Sequence, residues 1–414
     1  MLRVRYRRNL LRLLLLAVLN PSGVPIAGGY MANKPLLVIM KPTLGCNLRC
    51  RHCYHRPEEC SDLVMSPEIL ERTIRLVREG YDSTHYFWHG GEPLLAGEHF
   101  YKRAFNLQRR YYGKAITRCG NTIQTNGTLL KNRFIEFCRD NRVNIGVSYE
   151  GEYGAGLRPG VDVKALGDTM RYMVRKGHMF SVSATVHGGN VDSMMDMYES
   201  FREQRIPFNF SPSLRIGCGL DNQDTHLDKD VFIRNSIGVF DRWLTDADTP
   251  IPVLPYFQYV RSSLDAPNIS DCAHSSCLMK WICVYPNGDV YPCGKACPDY
   301  YRLGNIAEVD SIEQLFKGDG FRNILKDSVE RRNRCKSCPI YDKCMGGCTV
   351  DAFYDGDARS PGGFSCETYK AIYGHIDDTL KDIMDNQRDL SAYNRYVRDS
   401  IVGKLTNPNI ITPM

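Results

Sequence analysis

The sequence predicts an α/β fold in which a partial (β/α)6 barrel of the TIM type precedes a small cysteine-rich domain. About six strand and helix patterns alternate up to residue 213, the alternation then stops, and the later cysteines fall in tight groups. We therefore expect five segments in chain order: an N-terminal extension over 1–33, the barrel over 34–230, a helical connection over 231–270, the cysteine-rich domain over 271–370, and a C-terminal helix with an extended tail over 371–414.

The barrel elements follow from hydrophobic periodicity and from the residues that interrupt it. Residues 36–40 form a short apolar run that ends before Pro42, which is typical of a buried strand. Ser66 and Pro67 mark the start of a helix, and Gly80 marks its end. The further predicted strands are 85–88, 118–124, 143–149, 179–186 and 207–213, and the further predicted helices are 100–112, 129–140, 164–177, 191–204, 229–244 and 371–384.

The charge distribution argues against a nucleic-acid partner. The chain of 414 residues has a formal net charge of +6, yet five arginines and no acidic residue lie within residues 1–30, so the remainder is nearly neutral. We expect the basic run from Arg331 to Lys336 to be a solvated loop. The apolar run over 10–19 is too short to span a bilayer, and we expect residues 1–30 to be a misassigned start, with an interfacial amphipathic helix as the alternative.

The chain contains 17 cysteines, and their grouping favours metal ligation over disulfides. The number is odd, the chain is long for a disulfide scaffold, and gaps of two to five residues within the groups suit ligands of one metal centre. We therefore expect a reducing compartment, the cytoplasm. Cys119 and Cys138 fall within strand and helix patterns and are expected to be small core residues.

The first cysteine group follows the first predicted strand with the spacing C-x3-C-x2-C, formed by Cys46, Cys50 and Cys53. Three thiolates hold three irons of a [4Fe–4S] cluster and leave the fourth iron open. A zinc knuckle is the alternative, with His52 and His55 as the nearest further ligands. The loop resembles the signature of the radical S-adenosylmethionine (SAM) superfamily. The resemblance implies that the open iron chelates SAM and that an electron cleaves SAM to a 5′-deoxyadenosyl radical.

Three later motifs fall at predicted strand ends, where barrel active sites form. The run from Gly90 to Pro93 resembles the family's Gly-Gly-Glu motif, which implies that Gly90 and Gly91 admit the methionyl part of SAM and that Glu92 accepts from its ammonium. Residues 124–130 are similar to a segment of peptide-modifying members. By the same resemblance Ser148 contacts the ribose, Glu150 replaces the usual Asp, and Arg158 reaches the SAM carboxylate from a shorter offset than is usual.

The second cysteine group resembles the C-terminal SPASM domain of peptide-maturing radical enzymes in order and spacing. The resemblance implies two auxiliary [4Fe–4S] clusters, and so three clusters in all. It assigns one cluster, called the inner cluster, to Cys277, Cys283, Cys293 and Cys348. It assigns the other, called the outer cluster, to Cys335, Cys338, Cys344 and Cys366. Structural zinc sites are the alternative, and Cys272 or Cys297 lies close enough in sequence to replace an assigned ligand.

The resemblance implies a maturase that oxidises a side chain of a peptide or protein, as in cyclisation of a ribosomally made peptide. Sulfatase maturases of this family usually carry an Asp base directly after the Cys of the Gly-x4-Cys motif, whereas this chain has Gly294. The alternatives are a dehydrogenase or epimerase for a small molecule such as an amino sugar, and a non-enzymatic cluster-carrying scaffold. We expect a peptide substrate, flavodoxin or ferredoxin as electron donor, and a separate leader-binding protein. The candidate catalytic residues are Tyr54, His89, Cys218, Tyr285 and Cys297.

Overall fold

The computed structural model describes residues 35–154, 156–264, 277–386 and 388–406. The predicted N-terminal extension and Cys272 lie outside these residues. Within them, no helix is both long enough and apolar enough to cross a membrane.

One sheet of ten strands runs through the described residues and confirms the predicted α/β barrel class. The strands are β1 Pro35–Met40, β2 Ser83–Trp88, β3 Cys119–Thr125, β4 Val143–Ser148, β5 Phe180–Val186, β6 Phe208–Pro212, β7 Val253–Leu254, β8 Trp281–Val284, β9 Asp289–Tyr291 and β10 Gly304–Asn305. Their order in the sheet is β10-β9-β8-β1-β2-β3-β4-β5-β6-β7. All neighbours from β8 through β1 to β7 pair in parallel, and β9 and β10 add an antiparallel edge.

Ten helices of eight residues or more accompany the sheet in the described residues. They are α1 Pro67–Gly80, α2 Gly97–Tyr112, α3 Asn132–Asp140, α4 Val163–Lys176, α5 Met194–Glu203, α6 Lys229–Leu244, α7 Tyr256–Ser263, α8 Asp319–Cys335, α9 Gly363–Asp385 and α10 Arg395–Thr406. The first five follow β1 to β5 in turn, because each crossover between parallel strands needs a connection long enough to return along the sheet.

Alternate residues of β1 face opposite sides of the sheet, and this separates the core from the site. Leu36, Val38 and Met40 belong to the main core. Leu37 and Ile39 point to the other face, into a smaller apolar cluster with Cys283 of β8. The period of two in a strand produces this division, and the second face is the interior of the barrel.

The predicted division into segments stays a prediction, and the structure adds short strands to it: residues 253–254 of the expected helical connection form β7, and β8 from the cysteine-rich region pairs with β1, with Ile39 opposite Cys283. Two expectations about local structure were wrong. The expected extended tail contains α10, whose first turn is capped by Asn394 Oδ1 accepting from the backbone N–H groups of residues 396 and 397 at 3.0 and 3.1 Å. The basic run beginning at Arg331 is not a loop, because it falls at the end of α8, where Arg331 is only 1% exposed while Arg334 and Lys336 are exposed.

Candidate active site

The carboxyl ends of the parallel strands open into a cavity of about 530 Å³. This is the end at which barrel enzymes place their active sites. The wall combines the cysteine loop after β1 with residues at the ends of five further strands: Phe87, His89, Gln124, Thr125, Asn126, Ser148, Ser183, Thr185, Ser211 and Pro212. Most of these strand-end side chains are polar, as a site for a charged cofactor requires.

The three cysteines of the first group all line this cavity. Backbone and side-chain N–H groups face their sulfurs: Leu48 N lies 3.5 Å from Cys46 Sγ, and Arg158 Nη1 lies 3.8 Å from Cys50 Sγ. Burial raises the pKa of each thiol, that of Cys53 to about 12. Three half-buried sulfurs on one loop in the cavity wall suit the cluster that the spacing predicts.

The two glycines after β2 are required by the cysteine loop. A Cβ on Gly90, whose φ is +129°, would lie 2.3 Å from Thr43 O, and a Cβ on Gly91 would lie 2.2 Å from Gly45 O. The backbone of this turn also bonds the loop directly, since Glu92 N donates to Gly45 O at 2.8 Å. Both glycines line the cavity, but the contact that forbids a side chain is with the protein's own backbone.

The Glu92 carboxylate is completely buried and is engaged by the protein rather than facing the cavity. It accepts hydrogen bonds from Leu94 N at 3.0 Å, from Thr125 Oγ1 at 2.8 Å and from Asn126 N at 2.8 Å. Burial raises its pKa. Asn126 in turn donates from Nδ2 to Asn47 Oδ1 at 2.9 Å, within the cysteine loop. These hydrogen bonds tie Glu92 and the end of β3 to that loop, and contact of its carboxylate with the SAM ammonium stays a prediction.

Glu150 and Arg158 form a buried ion pair beside Cys50. Arg158 Nε lies 2.9 Å from Glu150 Oε2, and Nη2 lies 2.8 Å from Oε1, while Thr185 N also donates to Oε1 at 2.9 Å. Burial alone would raise the pKa of Glu150, but the guanidinium outweighs it and the net pKa is lowered. Arg158 lines the cavity, as does Ser148, whose Oγ accepts from Gln124 Nε2 at 3.1 Å.

Three of the five candidate catalytic residues meet around a lysine that sequence analysis missed. Lys41 is completely buried, and its Nζ lies 3.0 Å from both His55 Nε2 and Tyr285 Oη and 5.5 Å from the centre of the Tyr54 ring. The Tyr54 hydroxyl lies 3.2 Å from His89 Nδ1. A cation directly after a buried strand and before a proline is the signal that marks Lys41 in the sequence.

The two candidate cysteines lie apart from each other. Cys218 lines the cavity and its Sγ donates to His55 O at 3.2 Å. Cys297 is absent from that wall and lies beside Cys293, with its Sγ 3.7 Å from Cys293 O. Cys60, which sequence analysis gave no role, also lines the cavity.

The later cysteines surround a second, small cavity of about 40 Å³. Five of them line it, namely Cys335, Cys338, Cys344, Cys348 and Cys366. Cys348 also lies 3.8 Å from Lys295 Nζ, while the backbone N–H of Lys295 faces Cys293 Sγ at 3.5 Å, so Cys348 stands between the two predicted ligand sets. Cys283 is buried within β8 against Ile39. The division of these ligands between two clusters stays a prediction.

The residue after Cys293 is Gly294, which packs against Ile39 in the barrel interior. A Cβ on Gly294 would lie 2.9 Å from Ile39 Cδ1 and 3.2 Å from Ile39 Cγ2. A larger side chain at this position requires Ile39 to move.

Comparison with known proteins agrees with this arrangement. A profile described as the radical SAM superfamily matches residues 40–201, and one described as the SPASM iron–sulfur cluster-binding domain matches residues 272–339. A cysteine-type anaerobic sulfatase-maturating enzyme of Clostridium perfringens is 27% identical, over 85% of this chain and 99% of the relative. A serine-type anaerobic sulfatase-maturating enzyme of Klebsiella aerogenes is 26% identical, over 94% of this chain and 96% of the relative.

Solved structures share the fold. The native structure of anSMEcpe with bound AdoMet superposes with a TM-score of 0.74 at 26% identity, covering 86% of this chain and 100% of the other. Streptococcus suis SuiB bound to its precursor peptide SuiA gives a TM-score of 0.60 at 18% identity, covering 82% and 77%, which is a likeness of fold.

Proposed function

Because this chain is a radical SAM enzyme with a C-terminal SPASM domain, we propose that it oxidises a side chain of a peptide or protein, forming a crosslink or ring in a ribosomally made peptide. The substrate class is supported by similarity over nearly the whole chain to enzymes whose names describe maturation of sulfatases. The reaction class is supported by one observation of the structure, the packing of Gly294 against Ile39.

The cofactors are SAM, a SAM-binding [4Fe–4S] cluster and auxiliary clusters. When bound, they supply a 5′-deoxyadenosyl radical that abstracts hydrogen from an unactivated carbon. In our proposal Cys46, Cys50 and Cys53 hold the SAM-binding cluster at the cavity wall. The later cysteines hold two auxiliary clusters, so the chain carries three.

The protein's own contribution is to orient SAM and the substrate around that loop. Glu92 keeps Asn126 against the cysteine loop through the hydrogen bonds described above. Glu150 holds the Arg158 guanidinium beside Cys50 in the cavity wall. Ser148 presents a hydroxyl from the end of β4, the position at which we propose contact with the ribose.

Gly294 supports the first of two kinds of oxidation. In sulfatase maturases the residue after this cysteine is usually an Asp base, whereas Gly294 carries no carboxylate, and a Cβ at this position would stand 2.9 Å from the Cδ1 atom of Ile39. The groups around Lys41 on this side of the barrel are His55 and Tyr285, and the carboxylate that reaches them is that of Glu59, which lies 3.0 Å from His55 Nδ1 at the surface. An oxidation that does not depend on the Asp base, such as crosslinking, therefore fits this chain better than formylglycine synthesis.

Formylglycine synthesis is the second candidate, because the whole-length relatives carry that description. The comparisons do not favour the small-molecule alternative. Both candidate reactions need an electron donor, for which we propose flavodoxin or ferredoxin, and a ring-forming maturase would use a separate leader-binding protein.

Anaerobic reconstitution followed by turnover distinguishes the two reactions. The loaded protein is expected to contain about twelve iron atoms and to release 5′-deoxyadenosine with SAM and dithionite. It is then incubated with peptides encoded beside its gene and, separately, with sulfatase-derived peptides carrying Cys or Ser. A product lacking two hydrogen atoms and resistant to aldehyde reagents supports the proposal. An aldehyde on the sulfatase peptide, formed by the wild-type chain, contradicts it.

A further inference from the structure

A buried arginine without a carboxylate partner stands in the wall of the second cavity. Arg331 is 1% exposed, and its Nε donates to Gly346 O at 2.6 Å. Its Nη2 donates to Gly347 O at 3.0 Å and to Thr349 Oγ1 at 2.8 Å, and Nη1 donates to Ala358 O. All four acceptors are neutral. They accept from four of the five N–H groups of the guanidinium but leave its positive charge without a counter-charge.

A buried carboxylate one turn earlier on the same helix is engaged elsewhere. Asp327, one turn before Arg331 in α8, accepts from Arg359 Nε at 2.7 Å and from the Tyr301 hydroxyl at 2.8 Å. Among the residues that the structure describes, Arg331 has no ion pair with Asp or Glu. Buried charges in proteins are normally paired, so this arrangement requires a negative group that the polypeptide's carboxylates do not provide.

Cysteine sulfurs are the most numerous acidic groups around it. Arg331 lines the cavity together with the four cysteines assigned to the outer auxiliary cluster, with Cys348, and with two aspartates, Asp351 and Asp355. Asp351 is paired with Lys295, and burial raises the pKa of Asp355. Burial lowers the pKa of Arg331, and the thiolates of Cys348 and Cys335 are the two strongest opposing influences. A [4Fe–4S] cluster held by four thiolates is net negative and becomes more so on reduction.

We propose that Arg331 is the internal counter-charge of the outer auxiliary cluster and sets its reduction potential at a more positive value than the thiolates alone would give. A fixed cation in a site of low dielectric stabilises the reduced, more negative cluster over the oxidised one. Arg331 is a positioning residue in this sense, because it acts on the cluster and does not touch substrate. The inference rests on the proposed cluster ligands but not on the proposed peptide substrate, so the two fail separately.

The test is a redox titration followed by electron paramagnetic resonance. It uses the full chain with Cys46, Cys50 and Cys53 replaced by Ala, so that only the auxiliary clusters contribute. Arg331→Gln removes the charge, Arg331→Lys keeps the charge without the planar fork, and Arg322→Gln removes an exposed cation from the same helix as a control. Iron content is measured in every variant.

We expect Arg331→Gln to lower one auxiliary midpoint enough to reduce the ratio of reduced to oxidised cluster at least tenfold at a fixed potential, about 59 mV for one electron. Arg331→Lys and Arg322→Gln should stay near the parent potential. If Arg331→Gln loses the outer cluster's iron while Arg331→Lys keeps it, the charge requirement is still supported. An unchanged midpoint in Arg331→Gln, equal shifts in the Gln and Lys variants, or iron loss in both would overturn the proposal.

Discussion

Removing the charge of Glu150 tests whether the ion pair with Arg158 holds the cavity wall together. In Glu150→Gln the amide keeps the size of the side chain but cannot balance the guanidinium. The side chains of Glu150 and Arg158 are only 2% and 10% exposed, so water does not screen the remaining charge. Arg158 then keeps its charge beside Cys50 and loses the carboxylate that it contacts at 2.8 and 2.9 Å.

The expected cost follows from the burial of both partners. Breaking a buried pair by removing one charge typically costs about 3–5 kcal/mol, because the other charge is left uncompensated. The double variant Glu150→Gln/Arg158→Gln removes both charges. Its loss of stability should therefore be smaller than the sum of the two single losses by about 2 kcal/mol.

The measurement is urea unfolding of the cluster-free protein, followed by tryptophan fluorescence, since Trp88 and Trp243 are buried in the barrel region. The lowered pKa of Glu150 adds a pH signature. The stabilisation from the ionised carboxylate is fully present above its ordinary pKa of 4.5 and is lost as the pH falls through the lower folded-state value, so the gap between wild type and Glu150→Gln narrows in acid. A loss of unfolding free energy below about 1 kcal/mol in Glu150→Gln, or a double variant whose loss equals the sum of the two single losses, would refute the reasoning.

Three further outcomes are expected. Cys53→Ala should lose about four iron atoms and all 5′-deoxyadenosine release, whereas Cys60→Ala, in the same cavity wall, should keep both; equal iron loss would contradict the ligand assignment. Glu92→Gln should lower the free energy of unfolding in urea by about 1–3 kcal/mol, because the glutamine amide N–H group would face the Asn126 backbone N–H, which donates to the carboxylate in the wild type. An unchanged stability would mean that the loop does not depend on this hydrogen bond. Gly294→Ala should lower the free energy of unfolding by about 1–3 kcal/mol through overpacking, and adding Ile39→Val should restore part of that free energy. If nothing is restored, the loss does not come from contact with Ile39.

Most strands and helices of the barrel could be predicted from local sequence patterns. The helix predicted over 229–244 has the observed bounds Lys229–Leu244, and β2 to β6 lie within three residues of their predicted ranges. These elements have full-length apolar periods and clear ends. β7 and β8 were missed because they are two and four residues long, and such runs carry no period of their own.

The site is less readable, because motif spacing does not show what a side chain contacts. The order of motifs along strand ends places Cys46, Ser148 and Arg158 around one cavity. It does not reveal that Glu92 accepts from three donors of its own chain. Nor does it reveal that Arg331 is buried, since a run of basic residues in a helix differs from a solvated run only through tertiary packing.

The pairing of β8 with β1 has a consequence for how the chain folds during synthesis. Leu37 pairs with Trp281, about 240 residues later in the chain. The first strand made therefore keeps one unpaired edge until almost the last part of the sheet has left the ribosome, a contact of high sequence separation that closes slowly. An exposed parallel strand edge invites pairing with other chains. A shortened chain that ends before β8 should therefore aggregate rather than give an independent barrel, and the predicted cluster ligand Cys283 takes its place in the sheet only when β8 pairs with β1.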